Sequence, residues 1–314
     1  MTNGALLPAV LLMGPTASGK TALAVKLAQL LDGEIISVDS ALVYRGMDIG
    51  TAKPTLAERE GVPHHLIDIL DPGEFYSTGQ FRTHALALMA EISARGKLPI
   101  LVGGTMLYFR ALTQGLAELP SANPEIRQRL DMELAQLGQT ALHKRLESID
   151  SAAALRIHPN DPQRVQRALE VYEITGKPLS TFFEKTDNAL PYHCHKFVIA
   201  PEKRADLHQR IAMRFEQMLK NGFLAEVEQL FQREDLHDKL PSMRAVGYQE
   251  AWRYFQGDYD LNTMTQKAII ATRQLAKRQF TWLRREEQAH RFITEQKDLL
   301  SKMADIITNS SEID

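Results

Sequence analysis

The chain has 314 residues, 44% of them hydrophobic and 24% charged, enough for a full α/β core and a second module. A formal charge of -2 requires any nucleic-acid surface to be a local patch, and the single cysteine, Cys194, excludes an internal disulfide and a cysteine-based zinc cluster. The N-terminal stretch carries no basic n-region and no run reaches the roughly 18 apolar residues of a membrane span, so a soluble, cytoplasmic, membrane-free protein is expected.

In chain order, "PAVLLM" (8–13) is a short apolar run ending at Gly14, and "KTALAVKLAQLL" then repeats apolar residues at helical spacing: strand, glycine loop, helix. "EIISVD" predicts a second strand ending at Asp39, "HLIDIL" (65–70) a third, and "LPILVGGT" (98–105) a fourth that runs into glycines and the helix "MLYFRALTQG". Strands alternating with helices predict an α/β fold with a parallel sheet whose working edge gathers residues 14–21, Asp39 and residues 103–105. From about 119 to 192 strand signals stop, and four helical segments predict an all-helical insertion over 119–194. The last of these, "DPQRVQRALEVYEITG", has Asp161 as N-cap, Pro162 at N1 and Gly176 past its end. "HKFVIAP" (195–201) returns to strand, long helices follow to about 286, "HRFITE" reads as a last strand, and a polar tail begins near 309. The core is thus expected over 1–118 and 195–314.

The loop "GPTASGKT" comprises Gly14, Pro15, Thr16, Ala17, Ser18, Gly19, Lys20 and Thr21. In a P-loop of this pattern, backbone N–H groups and a helix N-terminus point at phosphate oxygens, Lys20 adds charge and the Thr21 hydroxyl is offered to Mg²⁺. The loop alone favours ATP or another nucleotide, in an NTPase or a small-molecule kinase. Asp39, at a strand end beside it, could hold Mg²⁺ through water or take a proton from a nucleophile. Gly103 and Gly104 permit close backbone approach, and Thr105 brings a hydroxyl to the same edge.

Two features point outward. Arg164 and Arg167 lie three apart on one helical face, which is either a solvated surface or a phosphate contact. Residues 261–285 hold Lys267, Arg273, Lys277, Arg278, Arg284 and Arg285 with no acid, a basic stripe with Trp282 beside it. Ile269, Ala276, Phe280 and Leu283 are expected on the buried side. Such a stripe is the footprint of a nucleic-acid ligand, and a small-molecule kinase has little use for it.

"GPTASGKT", "DSALVYRGMDIGTAKP", "GGTMLYFRAL", "DPQRVQRALEVYEITGKPLS", "RAVGYQEAW" and "ATRQLAKRQFTWLR" together resemble, in order and wording, the bacterial tRNA dimethylallyltransferase (tRNA isopentenyltransferase) family. The likeness spans residues 10–286. It implies a P-loop NTPase-like core and transfer of the dimethylallyl group of dimethylallyl diphosphate to N6 of the adenosine 3′ of the anticodon. By the same resemblance, residues 14–21 would cradle the diphosphate, with Thr16 and Lys20 on leaving-group oxygens and Mg²⁺ on Thr21. Asp39 would take the N6 proton. Arg214 would reach the diphosphate from the far side, with Arg210 one turn earlier easily confused with it. Positions matching tRNA contacts are Asp39, Ser40, Ala41, Leu42, Thr105, Arg127, Gln163, Arg164, Val165, Gln166, Arg167, Arg244, Ala245, Val246, Gly247, Tyr248 and Gln249. Lys277, Arg278, Gln279, Phe280, Thr281, Trp282, Leu283 and Arg284 complete that set. One departure is Met106, where many members have Gly. The expected partners are tRNA and dimethylallyl diphosphate, with the chain acting as a monomer. The rival readings are an ATP-dependent small-molecule kinase and a noncatalytic RNA-binding protein using the P-loop as a nucleotide switch.

Overall fold

The computed structural model describes residues 6–183 and 190–309. Two compact units emerge: the chain up to Thr113 together with the chain from Pro191, and the segment Gln114–Leu190. The expected insertion thus begins earlier and ends sooner than 119–194. Its end moves because residues 192–194 are already strand, paired through Leu7↔Tyr192 and Ala9↔Cys194. The tail expected beyond Asn309 lies outside the described residues.

The first unit is built on six strands: β1 (Leu7–Met13), β2 (Gly33–Val38), β3 (His64–His65), β4 (Leu98–Gly103), β5 (Tyr192–Ala200) and β6 (His290–Ile293). Their order is β3-β2-β4-β1-β5-β6 and every pair is parallel. A parallel sheet needs both faces covered, which accounts for the unbroken burial of "GEIISV" in β2. On one face Val10, Leu12, Ile35, Ile100 and Phe197 form a single core with α1 (Lys20–Leu30) and α13 (Leu299–Asn309). Helix α3 (Thr78–Ala94) buries Phe81, Ala85, Met89 and Ile92 and packs against β2 and β4.

Register places the working edge. Gly103 pairs with both Met13 and Val38, so β1, β2 and β4 end level with one another. The residues that follow, Gly14, Asp39 and Gly104, therefore leave the sheet side by side. This is where ligands bind in open parallel sheets.

The third predicted strand is corrected. Within the six-stranded sheet only His64 and His65 of this stretch pair; the alternating "LIDIL" that follows turns through Leu66 and Asp68 at φ 61° and 58° and meets the chain again only as an isolated bridge from Leu70 to Tyr44. Lys53 imposes that shape: its buried ammonium donates to Tyr44 O at 2.8 Å and to the carboxylates of Asp48 and Asp68.

Beyond β5, α9 (Arg204–Lys220), α10 (Phe223–Phe231), α11 (Tyr248–Phe255) and α12 (Leu261–Leu283) enclose a second core around Phe215, Phe223, Tyr248 and Trp252. Val43, Tyr44 and Met47 join it, which anchors the long connection after β2. Among the described residues no helix is long and apolar enough to cross a membrane.

The second unit has the four expected helices: α5 (Pro124–Leu137), α6 (Gln139–Ile149), α7 (Ser151–Arg156) and α8 (Pro162–Thr175), around Leu130, Leu142, Leu146, Val165 and Leu169. Asp161 caps α8, accepting from Arg164 N at 3.1 Å, and Gly176 ends it at φ 70°.

Candidate active site

The P-loop turns from β1 into α1, with Gly19 at φ 81° as N-cap and no side chain capping the helix. The first-turn N–H groups of α1 are therefore left for a ligand, and the helix dipole adds positive potential at that point. Lys20 donates to Pro15 O at 3.3 Å, folding back over the loop. Ser18 is fully buried, and its Oγ has no hydrogen-bond partner.

Opposite the loop, Asp39 follows β2, and its Oδ1 accepts from Ala41 N at 2.8 Å. Thr105 braces this corner: its Oγ1 accepts from Ser40 N at 3.2 Å and its own N–H donates to Val38 O at 3.2 Å. Met106, the departure from the family pattern, is buried as the first residue of α4 (Met106–Gln114).

A cavity of about 180 Å³ opens between these parts. Thr16, Ala17, Lys20 and Thr21 line one end, Asp39, Ala41 and Leu42 one side, and Arg214 of α9 another. Apolar walls come from Val246, already among the expected positions, and from Ile211, Phe215, Met218 and Leu275, none of which sequence reasoning assigned to the site. Their signal was present as helical periodicity, but periodicity does not distinguish a core face from a cavity wall. Residues 50–52 also line it, so the connection after Asp39 is part of the site and not a plain surface loop.

Electrostatics tie the three charged side chains together. Desolvation lowers the pKa of Lys20 to about 8; Asp39 opposes the shift and Arg214 adds to it. Burial also depresses Arg214, against the raising effects of Asp39 and Glu58. Lys20 and Arg214 are thus cations held near one another, partly compensated by Asp39, which acts on both, and by Glu58, which acts on Arg214, an arrangement that an anion completes. Arg210 is resolved from Arg214: it pairs with Glu295, and it is Arg214 that lines the cavity.

The remaining candidates fall into distinct settings. Ser40, Arg244, Lys277, Arg278, Thr281 and Arg284 are exposed, and Gln249 is half-buried. Trp282 lies beneath the guanidinium groups of Arg110 at 5.8 Å and Arg285 at 5.9 Å. Ala245, Val246, Gly247 and Tyr248 line the cavity, and the Tyr248 hydroxyl donates to Glu226 Oε1 at 2.5 Å. On α12 the expected buried side is shifted: Ala276 and Leu283 are buried, Ile269 and Phe280 only partly, and Gln279 takes the inner place. Its amide is bonded at both ends to backbone, which removes the penalty of burial.

In the insertion, Val165 is core, and Arg127 and Arg167 both donate to Glu170, whose side chain is 0% exposed. Gln166 Nε2 donates to Asp131 at 2.6 Å and to Arg127 O at 3.2 Å. Gln163 and Arg164 remain exposed. The expected solvated arginine pair is therefore one outward arginine and one structural arginine.

The IPP transferase family model matches residues 42–286. The chain is 61% identical over 290 residues to the tRNA dimethylallyltransferase of Methylococcus capsulatus, covering 92% of this chain and 93% of that one. The full-length tRNA isopentenylpyrophosphate transferase of Bacillus halodurans superposes with a TM-score of 0.71 at 38% identity, over 97% of this chain and 96% of that chain. A eukaryotic dimethylallyltransferase acting on tRNA gives a TM-score of 0.82 at 28% identity, over 98% and 79% of the respective chains. The reading as an ATP-dependent kinase finds no support in these likenesses. With the family model spanning most of its length and a relative this similar, the chain belongs to the IPP transferase family.

Proposed function

We propose that this chain transfers the dimethylallyl group of dimethylallyl diphosphate to N6 of the adenosine 3′ of the anticodon, position 37 of tRNA. The observation that carries this reading is the convergence of the P-loop, Asp39 and Arg214 on one cavity with apolar walls. The cationic end suits a diphosphate and the walls of Ile211, Met218 and Leu275 suit a five-carbon prenyl chain.

In the reaction, the adenine N6 attacks the allylic carbon as its bond to the diphosphate oxygen breaks. The N6 proton passes to Asp39, and diphosphate leaves with the electron pair. Negative charge grows on the leaving group, so Lys20, Arg214 and the N–H groups at the start of α1 stabilise the transition state more than the ground state. Each such donor contributes about 3 kcal/mol. Asp39 as base adds typically 10²–10⁴-fold. Bringing the base out of its stack costs a few kcal/mol, which contacts to RNA backbone offset. The exposed cations of α12, and Gln163 and Arg164 in the insertion, are suited to such contacts.

Mg²⁺ fits the site in a limited way. Thr21 lines the cavity and is exposed, and among the described residues no group of three or more His, Cys, Asp or Glu could form a cage. A Mg²⁺ ion would take Thr21 and the diphosphate's own oxygens as ligands and neutralise leaving-group charge. This reading places the protein in the cytoplasm, where its RNA substrate is found, acting as a monomer.

The test is incubation with Mg²⁺, unmodified tRNA and labelled dimethylallyl diphosphate, with labelled ATP in parallel. Label passing from the prenyl donor to the RNA supports the transferase. Consumption of ATP without RNA labelling overturns it.

A further inference from the structure

Gln279 lies on α12 inside the segment expected to touch RNA, yet it is 8% exposed and faces inward. Its Oε1 accepts from Thr16 N at 2.9 Å and its Nε2 donates to Gly104 O at 3.0 Å. One amide therefore ties three separate parts of the working edge: the P-loop after β1, the turn after β4, and α12. The glycine is fitted to it, since a Cβ at residue 104 would stand 2.3 Å from Nε2.

The P-loop needs such a tie. Ala17, next to Thr16, has φ 60°, a left-handed conformation that costs a non-glycine residue about 1–2 kcal/mol and persists only where its surroundings enforce it. The Gln279 carbonyl holds the N–H immediately before that strained residue. It also occupies Thr16 N–H, leaving the α1 N-terminus, Lys20 and Arg214 to meet the anion.

We propose that Gln279 is a positioning residue for the diphosphate, shaping the Thr16–Ala17 turn, and not an RNA contact. This inference rests on the transferase reading above. Glutamate is the informative substitute, because it keeps the acceptor for Thr16 N–H, loses the donor to Gly104 O, and brings negative charge to the cavity. Methionine keeps the length and removes both bonds.

The experiment measures inorganic diphosphate binding without RNA, and the KM for dimethylallyl diphosphate and for tRNA, in wild type, Gln279→Glu, Gln279→Met and Gly104→Ala. For each variant about a tenfold or larger rise in the diphosphate Kd and donor KM is expected, with the tRNA KM within twofold. Gly104→Ala acts from the opposite side of the same bond, so it reports if a Gln279 variant fails to fold. A rise in tRNA KM with unchanged donor binding makes Gln279 an RNA contact and overturns the proposal, as do unchanged constants in all three variants. If wild type binds diphosphate but transfers no prenyl group, it is the transferase reading that has failed.

Discussion

Tyr248 donates its hydroxyl to Glu226 Oε1 at 2.5 Å, and the same carboxylate accepts from three consecutive N–H groups, those of Asp48, Ile49 and Gly50, at 2.8, 2.7 and 3.0 Å. Burial, and next to it the Glu226 carboxylate, hold the Tyr248 phenol well above its ordinary pKa, so it stays a donor. The pair holds residues 48–50, the last of which begins the stretch 50–52 that lines the cavity. Tyr248 thus serves the site through its inner face.

Glu226→Ala leaves those donors without their shared acceptor. A loss of roughly 2–3 kcal/mol in urea unfolding is expected, with Tyr248→Phe losing about 1 kcal/mol. Both variants should also lower kcat/KM, because the wall they support moves. Stability equal to wild type in Glu226→Ala would show that the loop is held by other means.

Arg164 and Arg167 should behave differently although they share a helix face. Arg164 is exposed, and its ionic partner among the described residues is the nearby Asp161 at 3.4 Å, so Arg164→Ala should leave the melting temperature within a degree or two. RNA affinity should fall, and the slope of log Kd against log salt should shrink by about one contact. Arg167 donates to the buried Glu170 and to Pro120 O at 2.6 Å. Arg167→Ala should therefore cost roughly 1–3 kcal/mol in the insertion, read by urea unfolding. Burial alone would raise the Glu170 pKa, but bonds from Arg127, Arg167 and Asn123 N outweigh it and the net shift is downward. The stabilisation is present above the unfolded carboxylate value of about 4.3 and fades as pH falls through the lower folded value. In Arg167→Ala this acid sensitivity should diminish.

These two arginines also mark where sequence reading stops. The strand, loop and helix around residues 14–21 were legible because each signal is local: an apolar run, a glycine pattern, a helical period. The level ends of β1, β2 and β4 followed from alternation of strands and helices. "HLIDIL" misled because its alternation is that of a strand, while Lys53, twelve residues upstream of His65, dictates a loop through Asp68 and Tyr44 O. On α12 the helical period was right and Ala276 and Leu283 lie inside as expected, while Ile269 and Phe280 are only partly covered and Gln279 is buried. Hydrophobicity selects Phe280 for the interior, and the backbone groups that satisfy Gln279 there, a donor at Thr16 and an acceptor at Gly104, lie 263 and 175 residues away. Arg210 and Arg214 are alike by type, and what tells them apart is tertiary: Glu295 stands beside the first and the cavity beside the second.

Asp39→Asn isolates the proton acceptor. The amide keeps the shape of the carboxylate and an oxygen for Ala41 N–H, but it cannot take the N6 proton. A fall in kcat of about 10²–10⁴ is expected, with RNA affinity retained. Rapid-quench measurement of one turnover reads the chemical step directly. A large loss of RNA affinity with an unchanged single-turnover rate would argue that Asp39 binds the base and does not deprotonate it.

The lowered pKa of Lys20 gives a pH dependence whose sign is fixed. In the free protein the ammonium is charged below about 8 and neutral above it, against an ordinary value of 10.5. Between those values the unfolded chain holds more protons at this residue than the folded one, so the Lys20 contribution to stability rises with pH from about 8 to 10.5. Donor binding runs the other way. A diphosphate next to Lys20 favours its charged form, so binding above pH 8 must be accompanied by proton uptake, and affinity should weaken by up to tenfold per pH unit there. Calorimetric titration with inorganic diphosphate in two buffers of different ionisation enthalpy should show uptake approaching one proton at pH 9 and little at pH 7. Lys20→Met should bind weakly at both and exchange only the protons of the diphosphate itself, so the uptake of wild type is read as the difference from this variant. Uptake undiminished in Lys20→Met would assign the proton to another group, and a flat affinity from pH 7 to 9.5 in wild type would mean that Lys20 keeps its ordinary pKa in the cavity.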